Sequence, residues 1–398
     1  MSEARQRLKV LFAGVLGLLL FLGVARFAYT PLLPLMRSQA GLGIEAGGWL
    51  AAANYAGYLI GVVGVGRIAS LAVKDRLYRA AMVVAVLSTV MMGLSTHEWI
   101  WALSRFIAGL STAAGMVLGA GLVINWLMRH RHRSELGIHF SGIGLGIALC
   151  ALVVIFIGKR FDWREQWFLF SLIGALLAVP AWRWLPRPDL APLPASATHM
   201  HDSPPGDLFR RVLMAAYFCA GVGYVVTATF IVAIVNAQPE MKDQGTWVFL
   251  VLGLAAAPAC ILWDLIARRT GQVNALILAS LAQIVGILLP VLGDGLLPAM
   301  AGAALFGGTF AGMVSLVMSM AGRYYPTRPA KMMSKMTAAY GIAQVLAPAL
   351  TGRLAAQGGG YASGLYLAAA VMGVGVVLLI ALGLIPDRGR ETAVGGAG

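Results

Sequence analysis

Residues 10–36 read VLFAGVLGLLLFLGVARFAYTPLLPLM, an apolar run broken by a single charge at Arg26. A membrane-spanning helix needs roughly 20 mainly apolar residues, and this stretch exceeds that length. Arg5, Arg7 and Lys9 precede it like the basic region of a signal peptide. The apolar run is far longer than the usual ~7–15 residues, and no small-residue cleavage site follows. The expectation is a first transmembrane helix that stays attached. A guanidinium cannot shed its charge and is costly in hydrocarbon without a partner, so Arg26 needs a role.

The rest of the chain repeats the pattern. The protein has 398 residues, 59% hydrophobic and 12% charged, against about 45–50% and about 25% for a soluble domain. Twelve apolar segments stand out, at about 9–36, 47–72, 79–96, 98–127, 135–158, 166–185, 208–236, 246–267, 273–292, 295–322, 332–355 and 363–385. The long connection Pro186–Asp207 is rich in Pro, Ala, Ser and His and reads as a linker. The expected organisation is an N-terminal six-helix bundle (1–185), a cytoplasmic linker (186–207), and a C-terminal six-helix bundle with a short cytoplasmic tail (208–398). Connections on the side of the N-terminus carry 21 Lys and Arg, and those on the other side carry 5. Positive charge collects on the cytoplasmic face, so both termini and the linker are expected in the cytoplasm.

The net charge of +14 is spread over short connections with no basic, aromatic-interleaved face, which argues against nucleic acid. Cys150, Cys219 and Cys260 lie singly in apolar runs and read as small buried hydrophobes rather than a disulfide or zinc framework. No phosphate-loop, zinc-protease or nucleophile-elbow motif occurs, and "GVVGVG" and "GIGLG" sit inside apolar helices, where glycine serves helix packing. An enzyme is not expected, nor a cofactor, nor a primary ATP-driven pump.

A six-plus-six layout invites a search for duplication. An offset of 198 sets Gly23-Val-Ala-Arg on Gly221-Val-Gly-Tyr, 197 sets Gly115-Met-Val on Gly312-Met-Val, and 199 sets Gly142-Ile on Gly341-Ile. Two related halves around a midplane site are a transporter architecture. With these features the chain resembles the major facilitator superfamily over its whole length. Arg105-Phe-Ile-Ala-Gly109 is similar to that superfamily's arginine-to-glycine motif, which the resemblance associates with the cavity and proton coupling. Asp75-Arg76-Leu-Tyr-Arg79 is similar to its gating loop, although Tyr78 replaces a glycine and Leu71 stands where another is usual. Asp264, Arg268 and Arg269 form an irregular second copy. The segments "RFAYTPLLPLM" and "ANYAGYLIG" resemble a bacterial branch labelled YbfB/YjiJ-like, which implies an inner-membrane, multi-pass protein.

None of the 16 Asp and Glu falls at the middle of a predicted helix, so an anionic pocket for cationic drugs is not expected. With a rise of ~1.5 Å per residue, Arg26 lies roughly 24 Å above Val10, and Arg105 about 10 Å below Glu98 on an oppositely running helix. The two share a depth. Guanidiniums there repel unless water or an anion joins them, so the expected substrate is a small organic anion clamped by both. The plainer alternatives are that Arg26 snorkels outward or donates to carbonyls freed at Pro31 and Pro34, and that Arg105 packs beside Gly109. Tyr29, Asn54 and Tyr58 in the first half, and Tyr224, Thr227, Tyr340 and Gln344 in the second, complete the candidate lining, with Tyr217, Phe306 and Phe310 nearby. His139 is the candidate for proton coupling. Met332 and Met336, with Met318, Met320 and the linker His199 and His201, leave a copper transporter as an alternative. A carrier of a neutral compound and a non-transporting membrane sensor are the others. The expected partners are a small-molecule substrate and the lipid bilayer, with the protein a monomer.

Overall fold

The computed structural model describes residues 3–130, 132, 136–158, 160–190, 202–325 and 330–385. Residues 191–201 of the linker with His199 and His201, and Arg131, Arg133, Glu135, Lys159, Arg328, Arg388 and Arg390, lie outside them. Helices are numbered by the twelve stretches: α1 Glu3–Ala40, α2 Ile44–Gly66, α3 Leu71–Leu94, α4 Glu98–Arg129, α5 Leu136–Ile157 and α6 Trp163–Trp184. They continue with α7 Asp207–Asn236, α8 Gly245–Ala256 and Ala259–Thr270, α9 Gln272–Leu292, α10 Leu296–Tyr324, α11 Ala330–Leu354 and α12 Gly360–Leu384. Among the described residues there is no strand. Ten of these helices are long and apolar enough to cross a membrane, and α8 becomes an eleventh when its two parts count as one span.

Three local departures from the sequence expectation have physical causes. Helix α8 bends by 47° between Ala256 and Ala259, where Pro258 offers no N–H to the preceding turn. Helix α3 starts at Leu71, so Asp75 is in its second turn rather than in a loop. Ser70 caps it, accepting from Val73 N at 3.4 Å. Helix α11 falls short of the apolarity of a membrane span among the described residues, because Lys335, Gln344, Thr351 and Arg353 lower it; its exposed aliphatic stripe is Ile342, Leu346 and Leu350. Its other face, with Tyr340, Gln344 and Thr351, is buried against α2 and α7.

Small residues set the closest helix contacts. Gly57 of α2 lies on the Phe106 backbone of α4, and a Cβ at Gly109 would sit 2.8 Å from the backbone nitrogen of Tyr58. The two backbones touch reciprocally, as packing in lipid favours. Gly109→Ala is therefore expected to lower the thermal unfolding temperature in detergent, at a cost of about 1–3 kcal/mol. Gly121→Ala on the same helix is the control, since nothing lies within 4 Å of its added Cβ.

Contacts across the two sets of six run from α2 to α11, from α5 to α8 and from α1 to α7. At the end away from the chain termini they are tight. Thr30 Oγ1 donates to the Ala228 carbonyl at 2.9 Å, and Arg37 reaches the Tyr361 hydroxyl at 3.4 Å, with Tyr361 held within its own half by stacking on Phe230 at 5.0 Å. There too, a Cβ on Gly48 would lie 2.6 Å from the Pro348 carbonyl. At the end bearing the termini, Asp75 is buried and paired with Arg79 at 3.0 Å and with Arg187.

Candidate functional site

The centre is organised by an irregular turn in α1. From Leu19 to Phe27 the helix is π-wound, with Ala28 N donating to Gly23 O at 2.9 Å. Pro31 then withholds the N–H that would have reached Phe27. Together the wide turn and the proline loosen the carbonyls around Arg26. Helix α4 supplies the missing donors: Arg105 Nη1 donates to Ala25 O at 2.9 Å, its Nη2 to Arg26 O at 3.3 Å, and Thr112 Oγ1 to Phe21 O at 2.9 Å. The Arg105 guanidinium also lies 4.6 Å from the Tyr29 ring centre, a cation–π distance. Tyr29 donates to Gly47 O at 2.8 Å, and Asn54 Nδ2 donates to Arg105 O at 2.9 Å. Arg105, Tyr29 and Asn54 thus tie α1, α2 and α4 together, and the freed α1 carbonyls are met by Arg105.

Arg26 is spent differently. It is 5% exposed, its guanidinium carbon lies 4.2 Å from the Tyr55 ring centre and 4.8 Å from that of Tyr58, and its Nε and Nη2 have no hydrogen-bond partner. Among the described residues no carboxylate pairs with it. Tyr55 and Tyr58 flank it, and Tyr224 of the second half lies in its neighbourhood. Tyr224 belongs to a row of rings, 5.1 Å from Phe310, 5.8 Å from Tyr340 and 6.4 Å from Phe306, with Tyr217 at 4.5 Å from Tyr340. Thr227 Oγ1, the Tyr340 hydroxyl and Gln344 Oε1 are buried there without a partner.

The structure therefore brings Arg26, Tyr58, Tyr224 and Tyr340 into one aromatic centre, with Thr227 and Gln344 one turn along their helices. It sets Arg105, Tyr29 and Asn54 beside that centre as a scaffold. Tyr55 was not singled out from the sequence, although it lies three residues before Tyr58 and so shares its face. His139 is elsewhere: fully buried against Gly14, Val123 and Phe140, with neither ring nitrogen partnered. Gly14 is roughly 18 Å along α1 from Arg26 at ~1.5 Å per residue.

The gating candidates also divide. Arg79 pairs with Asp75, donates to Trp182 O at 2.6 Å and Leu185 O at 2.9 Å, and lies over the Trp182 ring. It satisfies the last carbonyls of α6. Arg76 is exposed. Asp264 and Arg268 form an exposed i, i+4 pair at 2.7 Å beside exposed Arg269.

A family profile described as "Uncharacterised MFS-type transporter YbfB" matches residues 18–380. The chain belongs to this family. As in other MFS-type chains, its helices form a membrane-embedded bundle. The crystal structure of the nucleoside transporter NupG superposes with a TM-score of 0.71 at 14% identity, covering 96% of this chain and 100% of that one. At that identity the likeness shows the fold alone. A probable sugar efflux transporter of Helicobacter pylori (strain HPAG1) is 24% identical over 203 residues, covering 50% of this chain and 51% of the relative. A gentisate transporter of Corynebacterium glutamicum is 27% identical over 210 residues, covering 50% of this chain and 44% of the relative. The matched part thus spans about half the length of the curated relatives.

Proposed function

We propose that the protein is a secondary active transporter of a small organic anion, working by alternating access in the inner membrane with both termini cytoplasmic. Residues 1–185 and 208–398 are the rocking halves and 186–207 the linker between them. The observation that carries this reading is Arg26, an intramembrane guanidinium with no carboxylate, two free N–H donors, and a facing tyrosine from the second half. An intramembrane charge marks a substrate path by default, and a bound anion supplies the counter-charge this one lacks. Arg26 is the clamp, and Arg105 holds the turn that presents it. The contacts Thr30–Ala228 and Arg37–Tyr361 join the two halves at the far end, and alternating access requires them to part.

The gentisate relative carries an aromatic carboxylate and supports the anion reading. The sugar efflux relatives support a second one, because flat aromatic rows also receive sugars. Counterflow in proteoliposomes separates them: labelled carboxylate exchanges under the first, labelled neutral sugar under the second. A protein that exchanges neither overturns both readings. Proton coupling belongs to the proposal, and His139→Gln tests where the proton rides. If His139 carries it, the variant loses the pH dependence of uptake. Unchanged pH dependence removes His139 from the cycle.

A further inference from the structure

We infer that Arg37 is an outer anion station whose occupation opens the far-end contact, a role that rests on the organic-anion reading above and adds a second site to it. Arg37 lies on the same helix as Arg26, eleven residues further along α1. In a regular helix that is about 16 Å along the axis and within about 20° around it. Arg37 also repeats the condition of Arg26. Among the described residues no carboxylate pairs with it, and its Nε is buried without a partner. Unlike Arg26, it is only half-buried, so solutes at that end reach the side chain.

What Arg37 does touch belongs to the other half. Nη1 donates to the Tyr361 hydroxyl at 3.4 Å, and the guanidinium carbon lies 5.7 Å from the centre of that ring. A neutral phenol oxygen at this distance lies beyond the usual N–H···O range of about 2.7–3.2 Å and makes a weak partner. A charge-assisted bond to an anion is roughly twice as strong as a neutral one. The contact is therefore built to lose to an anion. An anion that pairs with Arg37 takes the donor from Tyr361 and removes one tie between the halves. A carboxylate in place of Tyr361 would instead resist that exchange.

Tyr29 connects this station to the centre. Its ring carries the Arg105 guanidinium at 4.6 Å, and Arg37 and Tyr361 lie in its neighbourhood. Thr30, the next residue, donates to the Ala228 carbonyl across the halves. Release at Arg37 leaves that single neutral hydrogen bond as the remaining polar tie beside the turn that presents Arg26. A mechanical latch and an anion station differ in one measurable way. Removing either partner frees a latch, whereas a station needs its cation.

The experiment is counterflow by the full-length protein in proteoliposomes of one orientation, with labelled acetate, benzoate and succinate added from either face. For the probes that exchange, Arg37→Gln is expected to raise the half-saturating concentration at the far face about 10-fold, the lower end of what a hydrogen bond to a charge gives. The near-face value stays unchanged. Tyr361→Phe frees Arg37 and is expected to lower the far-face value about 2- to 5-fold, as removal of one competing neutral hydrogen bond gives. Arg37→Lys keeps the charge and restores most of the far-face affinity, with size-exclusion profiles confirming that each variant is folded. Far-face values lowered by both variants describe a latch alone and overturn the station. An Arg37→Gln value that is unchanged, or shifted alike at both faces, also overturns it. Should Arg37→Gln fail to fold, an unchanged Tyr361→Phe value does the same. In each of these cases the anion reading stands, provided exchange occurs and is lost in Arg26→Gln. No exchange of any carboxylate probe, or exchange that survives Arg26→Gln, overturns both.

Discussion

Arg26→Gln is expected to abolish anion counterflow while leaving the protein folded and inserted. A desolvated, bidentate charge pair is worth about 2–5 kcal/mol when one partner is truncated, which is about 30- to 5,000-fold in exchange at limiting substrate. The fold tolerates the change because Arg26 has no protein carboxylate to strand. What it loses within the protein is its contact with the Tyr55 and Tyr58 faces, about 1–2 kcal/mol. Arg26→Lys keeps the charge but not the fork, and falls between the two. Exchange of labelled substrate in proteoliposomes, normalised to inserted protein, is the measurement, and wild-type exchange by Arg26→Gln ends the clamp assignment.

Arg105→Leu is expected to fail in the opposite manner, losing stability and transport together. It removes both donors from Ala25 O and Arg26 O. Each orphaned buried carbonyl costs about 1–3 kcal/mol, so the loss is about 2–6 kcal/mol before any repacking over Tyr29. The α1 turn then rewinds, and Arg26 leaves the aromatic centre. Arg105→Lys supplies one donor where two are needed and is expected to rescue partially. Thermal unfolding of the two variants beside counterflow reads this. A stable Arg105→Leu protein with no transport would instead make Arg105 a direct ligand, equal in role to Arg26.

The membrane class, the helix order and the shared depth of the two arginines are legible because hydropathy and rise per residue are local. What each arginine touches is not local. The pairing of Arg105 with α1 carbonyls depends on a π-wound turn that no apolar periodicity encodes, and on a backbone approach at Gly57 and Gly109 that joins residues distant in sequence. The expectation that carbonyls near Pro31 take up a guanidinium holds for Arg105, 79 residues from Arg26, not for Arg26 itself. Tyr55 escaped notice because Asn54 and Tyr58 make the i, i+4 pair, whereas the face that covers Arg26 is set by Tyr55 and Tyr58 at i, i+3. The Asp75 segment reads as a loop by resemblance, yet its Asp75–Arg79 spacing is helical and its partners are the ends of α6.

Helix α11 has a consequence for how the chain enters the bilayer. Its exposed stripe is three aliphatic side chains wide, and the face opposite carries Tyr340, Gln344 and Thr351. A segment with that many polar groups inserts poorly alone, and lipid offers those groups nothing. Its polar side is accommodated only where α2 and α7 already stand. Insertion of α11 is thus expected to depend on the first half being present. A fragment beginning at residue 208 should leave α11 outside the membrane, as glycosylation-site mapping of the flanking loops would report, and co-expression of residues 1–207 should bring it in.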